Sequence, residues 1–149
     1  MEKTDVVDPY LRTVEENIVP GPVKRRVVVD AGNGAGGPVA TEVYRRIGFD
    51  VISLFCEPDG RFPNHHPDPT LPENLEALIS KVDETSADLG IAFDGDADRI
   101  GVVDQEGSII WGDQLLIVFS RDLLKRHPGG KIIGEVKCSQ VLYLSLIHI

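Results

Sequence analysis

The chain has 149 residues, 42% hydrophobic and 26% charged, enough for one globular domain or one domain plus the start of another. Its 24 acidic residues against 15 basic ones give a net charge of -9. That balance argues against nucleic acid or an anionic membrane as the main partner, but not against a phosphorylated substrate held by a few local cations. Cys56 and Cys138 stand alone and read as free thiols in a reducing compartment. No apolar run is long enough to span a membrane and no signal segment opens the chain, so a cytoplasmic location is expected.

Residues 1–25 are polar and carry Pro9, Pro20 and Pro22; DPYLRTVEENI is expected to form a short helix and VPGPVKRR a connector. From Arg26 the pattern becomes α/β. RVVVD is a short β-branched run, a buried strand, and it ends in AGNGAGG. Pro38 suits a first helical turn, Val39, Val43 and Ile47 share a helical face, and Gly48 stops the helix. DVISLF, residues 50–55, is a second strand. After a long loop, TLPE fits a capping box at residues 70–73, and Leu75, Leu78, Ile79 and Val82 fall on one helical face. DLGIAF is a third strand, and IGVVDQEGSII a hairpin turning at Gln105 to Gly107. Asp113 is placed to cap a helix with Leu116, Phe119 and Leu123 on its apolar face; HPGG ends it, KIIGEV reads as one more strand, and a new element begins near Ser139. The alternation predicts a βαβαβ unit, a three-layer α/β/α fold with a mostly parallel sheet. Ligands of such sheets bind beyond the carboxyl ends of the strands, so AGNGAGG and DGDADR should face one crevice.

DGDADR places Asp94, Asp96 and Asp98 on alternate residues where an apolar strand ends. Two unit charges about 4 Å apart repel by roughly 4 kcal/mol at an effective dielectric of about 20. Three converging carboxylates therefore call for a cation among them. Oxygen-only donors in a tight loop suit Mg²⁺ before Ca²⁺, and an extended loop would point all three the same way. The plain alternative is a solvated acidic turn. An EF-hand is excluded, because Arg99 and Gln105 stand where that loop needs glycine and an acid. Arg99 can fork onto a phosphate, or pair back to one of the aspartates.

Gly32, Gly34 and Gly37 satisfy G-x-G-x-x-G, with Glu57 about twenty residues on, as in a dinucleotide site. That reading leaves the three aspartates unexplained. In PNHHPDP, the adjacent His65 and His66 point to opposite sides and cannot chelate one ion; Pro63, Pro67 and Pro69 make the segment a rigid structural turn.

FDGDADRIGVVD resembles the metal loop of the α-D-phosphohexomutases, the phosphoglucomutase/phosphomannomutase family. VVVDAGNGAGG, FPNHHPDPTLPENLEAL, WGDQLL and EVKCSQ resemble further stretches of that family in the same order. The resemblance implies an enzyme of four domains that moves phosphate between the 1- and 6-positions of a hexose (glucose or mannose phosphate), through a phosphoserine and a hexose 1,6-bisphosphate. It implies that Asp94, Asp96 and Asp98 hold Mg²⁺, that Arg99 contacts the phosphoryl group or the intermediate, and that Lys137 reaches substrate phosphate from the third domain. Residues 1–25 would be a linker or the end of a preceding domain, 26–107 the second domain, and 108–149 the start of the third. The family's serine motif is not found in the chain, so it is expected to be inactive alone and to need the other domains. LSLIHI departs from the family after EVKCSQVLY and reads as a truncation, with a few residues foreign to the fold. Two other classes compete: a haloacid dehalogenase-like phosphatase, with Asp94 as nucleophile, and a dinucleotide- or Mg²⁺-binding module without activity.

Overall fold

Val27, Val28 and Val29 are stiff at χ1 and suit a pleated surface, and all three are buried in β1, Arg26–Asp30. Because strand side chains alternate, their burial needs cover on both faces. The computed structural model, which describes residues 6–146, supplies that cover with one helix on each face. Val28 packs with Ala92 and Val103 under Leu75, Leu78 and Val82, which belong to or directly precede α3, Glu76–Thr85. On the opposite face Val27, Val29 and Ile91 pack with Ala40 and Tyr44 of α2, Gly37–Arg46. Gly90 permits the approach of α3, since a methyl group there would stand 2.8 Å from Val82 Cγ2.

The sheet runs β2-β1-β3-β4-β5. Strand β1 pairs in parallel with β2, Asp50–Leu54, and with β3, Leu89–Phe93; β3 pairs antiparallel with β4, Ile100–Asp104. The two-residue β5, Ile109–Ile110, forms the edge. Three parallel strands thus end on one side, at Asp30, Leu54 and Phe93, and release the glycine loop, the loop after β2 and the aspartate loop at that side. At the opposite side Arg25 and Arg26 pair with Asp88 and Asp50. Helix α1, Val7–Asn17, buries Leu11, and its Asp8 pairs with Arg46 of α2. No helix among the described residues is long and apolar enough to cross a membrane.

The chain divides into two compact units, Met1–Ile109 and Ile110–Ile149. Among the described residues the second holds α4, Gly112–Arg126, and α5, Gln140–Leu146. Four local expectations are corrected. KIIGEV forms no strand: among the described residues no strand neighbours 131–136 to satisfy their backbone groups, and Ile133 and Val136 are exposed. Thr70 does not cap α3. Its hydroxyl donates to Asp68 Oδ1 at 2.7 Å, a charged acceptor that outcompetes the helix, and the helix instead opens through a 3₁₀ turn at Pro72–Leu75. Asp113 lies inside α4, where its Oδ2 accepts the Ser139 N–H, while Gln114 Oε1 accepts the N–H of the cap residue Trp111. The buried residues of α4 are Ile117 and Ser120, with Phe119 and Leu123 exposed. The last three residues of the LSLIHI tail, and the first five of the chain, lie outside the described residues.

Candidate metal centre

Strands β3 and β4 are adjacent and antiparallel, so residues 94–99 must reverse the chain within six positions. They do so as a turn: Ala97 N–H donates to Asp94 O at 3.2 Å, and Ala97 adopts φ +63°. The aspartates therefore converge through a reversal rather than through the extended loop expected from their alternate spacing. One carboxylate oxygen from each of Asp94, Asp96 and Asp98 lies within 4.8 Å of the other two. In an octahedral Mg²⁺ shell the donor oxygens stand roughly 3 Å apart when adjacent and about 4.2 Å when opposite. Three hard, anionic donors gathered within this distance are of the kind such an ion takes, and Asp94, Asp96 and Asp98 are the residues that would hold it.

The three carboxylates differ in environment. Asp94 is buried; Asp96 and Asp98 are exposed. Burial pushes the Asp94 carboxyl up, but the backbone N–H of Arg99 on Oδ1 (3.0 Å) and its guanidinium on Oδ2 (2.8 Å) outweigh this and hold it below the usual range. Asp98 is pushed up, first by the charge of Asp96 and then by its hydrogen bond with Asp94. That is the signature of negative charge collected without enough positive charge to balance it.

Arg99 does pair back to Asp94, and its Nη1 also donates to Asp68 Oδ1 at 3.1 Å. The guanidinium is half exposed. Lys137 belongs to the second unit, exposed in the turn before α5, beside a cavity of about 540 Å³ lined also by Asp113, Glu135 and Cys138.

The glycine loop serves the aspartate loop. A methyl group on Gly34 would stand 2.8 Å from Gly95 O and 3.1 Å from Asp94 O, and one on Gly36 would stand 2.6 Å from Ala97 Cβ. Ala35 N–H donates to Gly95 O at 3.0 Å, and a methyl group on Gly37 would collide with the Cys56 carbonyl. Close backbone packing thus accounts for Gly34 and Gly37 of the dinucleotide-like pattern, and a φ of +51° for Gly32. Glu57 contributes only its backbone carbonyl, to Asn33 Nδ2.

Sequence reasoning missed the residues that tie these loops together. Asp30, wholly buried at the end of β1, accepts the Gly32 N–H at 2.8 Å and faces His65 Nε2 at 3.0 Å. Burial pushes its carboxyl up; the Gly32 N–H and His65 oppose this. Asn33, at φ +63°, accepts from Asn64 Nδ2 at 2.7 Å. Phe55 and Phe62 also hold positive φ, so strained backbone gathers on the loops of this side, as at functional sites generally. The one available signal was Asp30 itself, a charge closing a buried strand.

Residues 8–107 match the family model described as phosphoglucomutase/phosphomannomutase, alpha/beta/alpha domain II. The chain is 53% identical over 142 residues to the phosphomannomutase/phosphoglucomutase of Pseudomonas putida, covering 95% of this chain and 30% of that protein. It is 52% identical over 116 residues to the phosphoglucomutase of Neisseria gonorrhoeae, covering 78% and 25%. A crystal structure of a phosphoglucomutase/phosphomannomutase family protein from Burkholderia thailandensis superposes with a TM-score of 0.92 at 45% identity, covering 97% of this chain and 31% of that one. The chain therefore spans about 30% of the length of the relatives it matches. With a three-layer domain, a shared sheet edge and a family match over two thirds of its residues, the chain belongs to the phosphoglucomutase/phosphomannomutase family and carries its α/β/α domain II.

Proposed function

We propose that this chain is the metal-carrying part of a phosphohexomutase that interconverts hexose 1-phosphate and hexose 6-phosphate through a phosphoserine and a hexose 1,6-bisphosphate. The observation that carries this reading is the convergence of three carboxylates beside a half-exposed arginine, in a chain whose relatives are named phosphomannomutase/phosphoglucomutase. In this reading Asp94, Asp96 and Asp98 would hold Mg²⁺, which would supply positive charge to a phosphoryl group in transfer. Phosphoryl transfer depends on positioning and on neutralising charge at the equatorial oxygens, with little covalent chemistry left for the protein. Asp94 is fixed by two hydrogen bonds from Arg99, and the turn at Ala97 brings Asp98 back toward it. Arg99 presents free guanidinium N–H groups to phosphate oxygens, and Lys137 contacts substrate phosphate from what would be the start of the third domain. The serine that carries the phosphate lies outside this segment, so neither covalent transfer nor reorientation of the bisphosphate occurs on it alone.

The test is a coupled assay of hexose 1-phosphate conversion with Mg²⁺ and a hexose 1,6-bisphosphate activator. The full-length protein should turn over and the pure 149-residue chain should not. A full-length protein without mutase activity on any hexose phosphate would overturn the reading, and turnover by the isolated chain would overturn the placement of the nucleophile.

A further inference from the structure

Besides His65 and Asn64, which tie the loops together, the PNHHPDP segment carries Asp68, whose carboxylate reaches the arginine read as a phosphate ligand. We propose that Asp68 is a positioning residue for Arg99, fixing the direction in which its guanidinium meets phosphate; this rests on the reading of Arg99 given above. A planar guanidinium held at one nitrogen can still swing, whereas one held at two is fixed in plane and direction. Arg99 is held at two: Nε on Asp94 Oδ2 (2.8 Å) and Nη1 on Asp68 Oδ1 (3.1 Å). Among the described residues its Nη2 has no partner, so the nitrogen aimed by the other two is the one left for a ligand.

Asp68 is itself anchored firmly enough to aim a neighbour. Its Oδ1 accepts the Thr70 N–H at 3.1 Å and the Thr70 hydroxyl at 2.7 Å, and its carbonyl accepts from buried Asn74 Nδ2 at 2.9 Å. The flanking Pro67 and Pro69 are buried. They sit so close to the loops and sheet that a methyl group on Gly32 would stand 3.0 Å from Pro67 Cβ, and one on Gly101 2.7 Å from Pro69 Cβ. Three residues earlier, His65 grips Asp30. The segment thus hangs from β1 and β4 and delivers Asp68 to Arg99 from outside the set of prospective metal donors. This matters because Asp94, the other holder of Arg99, belongs to that set.

The rival role for Asp68 is purely local, as the closing residue of the turn to Thr70. Asp68→Asn separates the two roles: its amide oxygen still accepts from Thr70, but the charge that draws the guanidinium is gone. In the full-length protein, Asp68→Asn should raise KM for the hexose phosphate roughly tenfold with kcat changed much less, as expected when a binding interaction common to ground and transition states is lost. Combined with Arg99→Ala it should add nothing to the loss that Arg99→Ala causes alone. Thr70→Ala removes the turn's hydroxyl and leaves the charge, so KM should stay near wild type even if the melting temperature falls. If Arg99→Ala raises KM while Asp68→Asn does not, or if the two losses simply multiply, or if Thr70→Ala matches Asp68→Asn, the positioning role is overturned. If Arg99→Ala itself leaves KM and kcat unchanged, the phosphate reading of Arg99 fails first and the proposal fails with it.

Discussion

Residues 26–104 bury apolar side chains on both faces of a sheet, whereas residues 110–146 hold two helices and a connecting segment that leave many apolar side chains exposed. Val28, Val29, Leu75, Leu78 and Val103 have no exposed surface, while Phe119 is 58% exposed, Ile133 91% and Val136 95%. The two regions do not differ much in local sequence character. RVVVD and KIIGEV are both short apolar runs ending in or near a charge, yet only the first is a strand. RVVVD lies between β2 and β3, with a helix above and another below; KIIGEV has no such neighbours among the described residues. An apolar run becomes a strand when another backbone satisfies its amides and another layer covers its side chains. The same difference explains why the site is built on the first region: loops released from a sheet covered on both faces can hold three like charges in place.

The largest effect that should separate the regions is a core deletion. Leu78→Ala should cost roughly 2–5 kcal/mol, while Phe119→Ala should change stability by about 0.5 kcal/mol or less. Urea denaturation of both variants measures the contrast, and equal losses would remove it.

A smaller effect is expected beneath the site. His65→Ala leaves the buried Asp30 carboxylate with the Gly32 N–H as its remaining partner and should cost about 1–3 kcal/mol at neutral pH. The sign of its pH dependence follows from Asp30. Its folded-state carboxyl is pushed up by burial, so the protonated form favours folding and stability is lost as pH rises through the folded value. Without His65 to stabilise the anion that loss grows. The deficit of His65→Ala should therefore be widest at neutral pH and shrink in acid, which thermal melting across pH can follow. A deficit that widens in acid would contradict this account of the pair.

The smallest effect concerns the turn of the aspartate loop. Ala97 sits at φ +63°, a region that L-residues occupy at a cost and glycine does not. Ala97→Gly should stabilise the chain by up to about 1 kcal/mol, less what is lost by freeing the unfolded state and by removing the methyl group beside Gly36. Calorimetric melting resolves a change of this size, and a clear destabilisation would mean that the methyl contact outweighs the strain.

Much of the layered unit was legible in the sequence because its signals are local. The β-branched run at 27–29, the helical spacing of Leu75, Leu78 and Val82, and Gly48 after a helix each act within a few residues. The gathering of Asp94, Asp96 and Asp98 was legible for a related reason: three aspartates on alternate positions have an electrostatic meaning wherever the chain goes. The ties that assemble the site were not legible, because they join residues far apart in the chain. Asp30 and His65 are 35 positions apart, Asn33 and Asn64 are 31 apart, and Asp68 and Arg99 are 31 apart. Each pair joins polar residues of kinds common in ordinary turns, and no local pattern says which of them will meet which. The glycines alone were ambiguous: a phosphate and a neighbouring backbone both require an absent Cβ, and the approach of Gly95 to Gly34 shows the second need here.

The central claim is that Asp94, Asp96 and Asp98 form one cation site on the sheet edge. It is tested most directly by thermal melting of the wild-type chain and of Asp96→Asn, each with and without millimolar Mg²⁺. A ligand that binds only the folded state stabilises it by roughly 2.7 kcal/mol at a hundredfold excess over its dissociation constant. Wild type should show an upward shift with Mg²⁺. Asp96→Asn should show none, and without metal should melt no lower than wild type, because removing one of three like charges relieves the repulsion that pushes Asp98 up. An equal Mg²⁺ shift in the two proteins would place the cation elsewhere and contradict the account.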